Sequence, residues 1–308
     1  MKTTLWAVLF VFLCAAGARA QSPDSVQKFH ERGAERFARG DFEGAAADFT
    51  AVIDLSTSLV KGKARGNNWS AAEAEGFARA RVVDPEAANA YLNRGAARIG
   101  MGDYEGAIAD FDQAILIKPS LVWGYYNRGT ALLMRGETER ALADYDKAVR
   151  LDPKFAIGYS GRGNARLDKG DRAGAFADYE EAVRLAPRDA RVFYNRGDAR
   201  RVAGDAAGAL ADYERALRLD TRLGEAYQGR GILKLAGGDF GGAAADFTQA
   251  LELNPGLTLA YANRGIALSM QGKEAEAESD FRRAAERDPD IRPKIEAKLA
   301  QFKQQKAR

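Results

Sequence analysis

The stretch YLNRG, residues 91–95, decides how this chain is read. Its surroundings carry apolar residues at helical spacing, yet Arg94 and Gly95 stand side by side on the face that should be buried. A buried charge is costly, and a Gly inside a helix costs about 1 kcal/mol against Ala. The oddity recurs as YYNRG at 125–129, YSGRG at 159–163, FYNRG at 193–197, YQGRG at 227–231 and YANRG at 261–265. From Gly95 through Gly129, Gly163, Gly197 and Gly231 to Gly265, every step is 34 residues. Pro85, Pro119, Pro153, Pro187, Pro255 and Pro289 keep the same interval, with Thr221 as the single lapse. So do Phe77, Phe111, Tyr145, Tyr179, Tyr213, Phe247 and Phe281. An upstream copy holds Phe29, Gly33, Ala45 and Phe49. A fixed period of this size marks a repeat array.

Each unit reads as two helices. Tyr91, Arg94, Gly95 and Arg98 form one stripe, and a break follows at Gly102-Asp103. Ala107, Asp110, Phe111 and Ala114 form a second stripe, which ends before Pro119. One such hairpin cannot bury its own apolar face, so neighbours must stack. The pattern Tyr91-x2-Arg94-Gly95, Ala107-x3-Phe111, Pro119 resembles the tetratricopeptide repeat family. The resemblance implies an all-α, right-handed superhelical solenoid of antiparallel helix pairs with a concave groove. Its expected extent is residues 21–289, in eight units. The second unit, at about 58–85, is degenerate: six residues are missing between Phe49 and Phe77, and residues 57–65 would form a short or irregular first helix. Residues 290–308 read as a capping helix, with Ile291, Ile295, Leu299 and Phe302 on one stripe and a terminal KQQKAR expected to fray.

Residues 1–20 read as a secretory signal: Lys2, an apolar run from Leu5 to Ala16, then Ala18-Arg19-Ala20 before Gln21. The run is short for a membrane span. Cleavage would place the mature chain in the periplasm or outside the cell, with no membrane span of its own, and would remove Cys14, the sole cysteine. Without Lys2 and Arg19 the 46 basic residues balance the 43 acidic to within one, interspersed, which gives nucleic acid no basic surface to bind. Asn68-Trp69-Ser70 matches a glycosylation acceptor by chance in a composition that leans bacterial.

The Gly of the motif lets two helices approach, against the Ala of the second helix. The Arg is matched by an Asp 16 residues later: Arg32 and Asp48, Arg94 and Asp110, Arg128 and Asp144, Arg162 and Asp178, Arg196 and Asp212, Arg230 and Asp246, Arg264 and Asp280. The family usually has Leu at the Arg position. The degenerate unit lacks both partners, with Gly76 in the Asp place. The spacing predicts a ladder of partly buried ion pairs, one per regular unit.

No catalytic constellation is present. His30 is the sole histidine, expected exposed on the first helix, so neither a His-based metal site nor a Ser-His-Asp relay has support. No Gly-rich phosphate loop occurs, and no cofactor is implied. What remains is surface. The first-helix stripe facing the groove carries Trp123, Tyr126 and Thr130, then Asn164, then Arg191, Tyr194 and Asp198. Trp, Tyr and Arg dominate binding hot spots. A column of Asn93, Asn127, Asn195 and Asn263 is interrupted by Gly161 and Gly229. It resembles the Asn of chaperone-binding clamps, but the basic groove residues of those clamps are absent. Peptide binding and cross-linking of adjacent repeats are equally open for this column. The sequence thus points to a non-enzymatic scaffold that binds a polypeptide segment. The alternatives are a self-assembling envelope component and an accessory subunit of an enzyme complex.

Overall fold

The computed structural model describes residues 24–66 and 85–306. The signal segment and most of the degenerate unit lie outside the described residues. Among those described, every regular element is a helix: α1 (Asp24–Ala38), α2 (Phe42–Gly66), α3 (Pro85–Gly100), α4 (Tyr104–Ile117), α5 (Val122–Met134), α6 (Thr138–Leu151), α7 (Ala156–Lys169), α8 (Arg172–Leu185), α9 (Ala190–Ala203), α10 (Ala206–Leu219), α11 (Gly224–Ala236), α12 (Phe240–Leu253), α13 (Thr258–Met270), α14 (Glu274–Arg287) and α15 (Ile291–Lys306). The helices belong to two compact units, Met1–Ala175 and Phe176–Arg308.

The turn inside each pair has one backbone design. A Gly with φ between 79 and 89° ends the first helix at Gly40, Gly102, Gly136, Gly170, Gly204, Gly238 and Gly272. That left-handed conformation is disfavoured for side chains with a Cβ. Where an Asp follows that Gly it caps the next helix: Asp103 accepts the Gly106 N–H at 2.9 Å, Asp205 that of Gly208 and Asp239 that of Gly242, whereas Glu137 and Lys273, after Gly136 and Gly272, make no side-chain cap.

In the first unit, α3–α4 and α5–α6 pack around Leu92, Ile99, Ile108, Phe111, Leu132 and Tyr145. Phe49 and Ala97 form a smaller core between the first pair and α3. In the second unit, α11–α12 and α13–α14 pack around Leu235, Phe247, Leu251, Ile266 and Phe281, and Ile291 and Ile295 of α15 close that core.

Three expectations need correction. No break precedes residues 57–65, because α2 continues unbroken to Gly66. α3 packs directly on α2, and Arg94 Nη1 donates to Thr50 Oγ1 at 3.1 Å. The pairs α1–α2 and α3–α4 are therefore immediate neighbours. The Gly of the motif lies against the aromatic ring of the second helix as well as its Ala. A Cβ at Gly95 would sit 2.6 Å from Phe111 Cε1, and one at Gly129 would sit 3.2 Å from Tyr145 Cε1 and 3.3 Å from the Ala141 carbonyl oxygen. Lastly, the KQQKAR tail stays helical as far as Lys306.

Candidate functional site: the first-helix face

Two sets of side chains were singled out by the sequence: the ion pairs and the face of the first helices. Six of the Arg–Asp pairs fall within a single unit, and all six are in place. Arg94 donates from Nε and Nη2 to Asp110 at 3.0 and 2.6 Å, and Arg128 to Asp144 at 2.7 and 2.6 Å. Arg196–Asp212, Arg230–Asp246 and Arg264–Asp280 repeat this fork, as does Arg32–Asp48. Arg162 lies in the first unit and Asp178 in the second. The carboxylates are buried, whereas the guanidiniums lie over the ring three residues earlier, as Arg94 does over Tyr91 at 5.4 Å, all half-buried except the exposed Arg32. Bidentate, charge-assisted bonds from all these groups explain how a charge is tolerated at a packed position.

The pairing is denser than the spacing suggested. Arg98, Arg200 and Lys234 add a second cation to Asp110, Asp212 and Asp246. Arg128 Nη1 also reaches Asp112 at 2.6 Å and Arg162 Nη1 reaches Asp146 at 2.7 Å, both on the preceding pair. A polar residue two positions after the partner Asp was the visible signal for this. Hydrogen bonding to Asp144 outweighs desolvation and raises the Arg128 pKa above its usual value.

The first-helix face differs from expectation. Tyr126 and Thr130 are buried, as are Asn93, Asn127 and Asn263. Successive first helices pack side by side within each unit and close over part of this stripe. Tyr126 is boxed by Trp123, Tyr145 and Phe155, with ring centroids 5.6, 5.7 and 5.6 Å away. Asn93 Nδ2 lies 3.0 Å from His30 Nε2, which cross-links neighbouring first helices, and His30 is half-buried with its ring edge-on to Phe49. Asn127 Nδ2 is buried with no hydrogen-bond partner among the described residues. Asn263 accepts from Lys298 of α15 at 3.0 Å. Trp123, Asn164, Arg191, Tyr194, Asn195 and Asp198 are half-buried, so they keep some surface.

The interruptions of the Asn column have a steric cause. A Cβ at Gly161 would meet the Tyr145 ring at 2.7 Å, and one at Gly229 would meet Tyr213 Cζ at 2.5 Å. The tyrosines themselves follow a rule that sequence reasoning missed. Thr130, Asn164 and Asp198 each stand 15 residues before a Tyr, namely Tyr145, Tyr179 and Tyr213. Ala34, Ala96, Ile232 and Ile266 each stand 15 residues before a Phe: Phe49, Phe111, Phe247 and Phe281. The hydroxyl appears where the facing residue is polar. Tyr145 and Thr130 hydroxyls are 3.0 Å apart, and Tyr213 donates to Asp198 Oδ1 at 3.2 Å. A buried phenol needs a partner, and here it also fixes the rotamer of a residue on the first helix.

Among the described residues, no group of three or more His, Cys, Asp or Glu is placed to hold a metal ion. No described helix is long and apolar enough to cross a membrane.

Three family models describing tetratricopeptide repeats match the chain, over residues 97–136, over 122–155, and over 160–222 together with 229–290. No curated protein sequence matches. Among solved structures, a tetratricopeptide repeat protein from Parabacteroides merdae is similar at 18% identity and a TM-score of 0.57, over 90% of this chain and 98% of that one. A thermophilic member from Thermus thermophilus is similar at 22% identity and a TM-score of 0.52, over 62% of this chain and 98% of that one. YrrB, described as having an unusual peptide-binding site, is 29% identical with a TM-score of 0.44, over 61% of this chain and 97% of that one.

Proposed function

The chain belongs to the tetratricopeptide repeat family, and from that premise we propose that it is a non-enzymatic, exported adaptor that holds a segment of another polypeptide against its first-helix face. The observation that carries this reading is the kind of surface left on that face. The half-buried Trp123 and Ile157 lie on it in the first unit. In the second unit it carries half-buried Tyr194, with Val202 and Leu259 exposed at 48% and 53%. Aromatic and aliphatic anchors set among fixed polar groups are the composition of a protein contact surface. Balanced charge and the absence of a metal cluster among the described residues add no support for a catalytic role. The Lys2 to Ala20 segment supports export to the periplasm or beyond.

A photo-crosslinking residue placed at Trp123 or Tyr194, in the bacterium's own envelope, tests the adaptor reading. Discrete adducts of larger mass are expected from these positions and not from Arg150, on an exposed face of a second helix. Absence of adducts from both would refute it, while adducts of twice the chain's own mass would favour self-assembly. Export is read separately from the mature protein's N-terminus, expected at Gln21.

A further inference from the structure

On α9, Tyr194, Asp198 and Val202 are four residues apart and share one face. Asp198 is about one-third exposed, and Oδ1 takes every hydrogen bond it receives. Arg201 donates to Oδ1 from Nε at 3.0 Å and Nη2 at 2.6 Å, and the buried Tyr213 donates at 3.2 Å. Oδ2 accepts nothing from the described residues. The carboxylate is therefore fixed in orientation with one oxygen left over, which is how a pre-organised acceptor is built.

Tyr194 packs beside Tyr213 with centroids 6.2 Å apart, mostly buried, and its hydroxyl makes no hydrogen bond to the described residues. Glu225, in the first turn of α11, is half-buried with no cation in ion-pairing range among the described residues. Burial first, then the charges of Asp198 and Glu225, hold the Tyr194 phenol above its usual pKa, against the pull of Arg201. Two carboxylates thus lie near one aromatic ring, and Arg201 is bonded to one of them. Of these two carboxylates only Asp198 has an ion-pair partner among the described residues.

We propose that Tyr194, Asp198 and Glu225 seat a Lys or Arg side chain of the bound polypeptide, with an apolar neighbour of that residue resting on Val202. The cation lies on the Tyr194 ring, donates to Asp198 Oδ2 and is balanced by Glu225. A desolvated cation on an aromatic face with a fixed carboxylate beside it is a strong recognition element. This inference rests on the adaptor reading above and adds the chemistry of the residue it selects.

A display library of random 12-residue peptides, selected against the full chain, tests it. Recovered peptides are expected to share a Lys or Arg next to an apolar residue. A synthetic copy of one should bind Asp198→Asn and Glu225→Gln each about tenfold more weakly, and should lose affinity for the parent protein as salt rises. Glu225 has no ionic partner to lose, so Glu225→Gln should melt with the parent, which separates recognition from folding. If the selected peptides lack a basic residue, or bind both variants as well as the parent, the cation seat is wrong and the adaptor reading stands. If no peptide is selected at all, both are wrong.

Discussion

At the scale of single residues, what matters is how many cations each buried Asp keeps. Asp110 has Arg94 and Arg98, and Asp212 has Arg196 and Arg200. Among the described residues Asp144 pairs with Arg128 alone, because Leu132 occupies the position where most other repeats add a base. Arg128→Ala therefore strands a buried carboxylate and is expected to cost about 3–5 kcal/mol. Arg94→Ala leaves Arg98 on Asp110 and should cost clearly less. Urea unfolding followed by circular dichroism gives both numbers, and equal losses would mean that the second cation contributes nothing. Leu at both Arg128 and Asp144 should recover most of the stability. The pairs themselves were legible, since a 16-residue spacing repeated seven times is hard to miss. The second cation and the link to the preceding pair were not, because each involves a residue type that varies along the array: Arg98 or Leu132, Thr50 or Asp112.

At the scale of helices, close approach is set by what each Gly faces. Gly95→Ala would place a methyl 2.6 Å from the Phe111 ring. Ala gains about 1 kcal/mol of helix propensity over Gly, yet overpacking costs about 1–3 kcal/mol. The variant should be less stable than the parent, and Phe111→Leu should partly rescue it. A higher urea midpoint for Gly95→Ala alone would show that the helices simply part. The end helix α15 offers a second test. Ile291 and Ile295 are buried against α13 and α14, and Phe302 packs edge-on to Phe240 at 6.0 Å. Lys298 is drawn into the same seam, and burial lowers its pKa. A Lys whose folded pKa lies below its unfolded value makes the fold more stable as pH rises toward about 10.4. Lys298→Met should abolish that gain, read as the loss of the rise in melting temperature that Lys298 contributes above neutral pH. The stripe of α15 was legible in its apolar spacing. The lysine between Ile295 and Phe302 looked like a solvent-facing residue, because nothing in its spacing discloses that Asn263 lies opposite.

At the scale of the whole chain, a 34-residue interval disclosed the helix pairs, their turns and their cores, because each pair repeats one packing solution. It did not disclose which first-helix residues remain accessible. That depends on how neighbouring helices close over the stripe, and it buries Tyr126 and Thr130 while leaving part of Asp198 exposed. The array also stores a property no single repeat announces. Burial holds the phenols of Tyr145, Tyr179, Tyr194 and Tyr213 above their usual pKa. In the unfolded chain all four titrate near 10. The sign follows from proton binding: above about pH 10 the unfolded state has released these protons and the folded state retains them, so stability is complete below that pH and falls as pH rises. Replacing Tyr145, Tyr179 and Tyr213 by Phe, the residue at the same place in the sister repeats, removes three of the four groups that drive this loss. The parent should lose its helical signal and gain phenolate absorbance at 295 nm together, in one alkaline transition. The triple variant should hold its helices to a higher pH, while its stability at neutral pH falls modestly through loss of the Thr130 and Asp198 hydrogen bonds. Unchanged alkaline unfolding in that variant would rule out the buried phenols as its cause and leave carboxylate repulsion to be tested by adding salt.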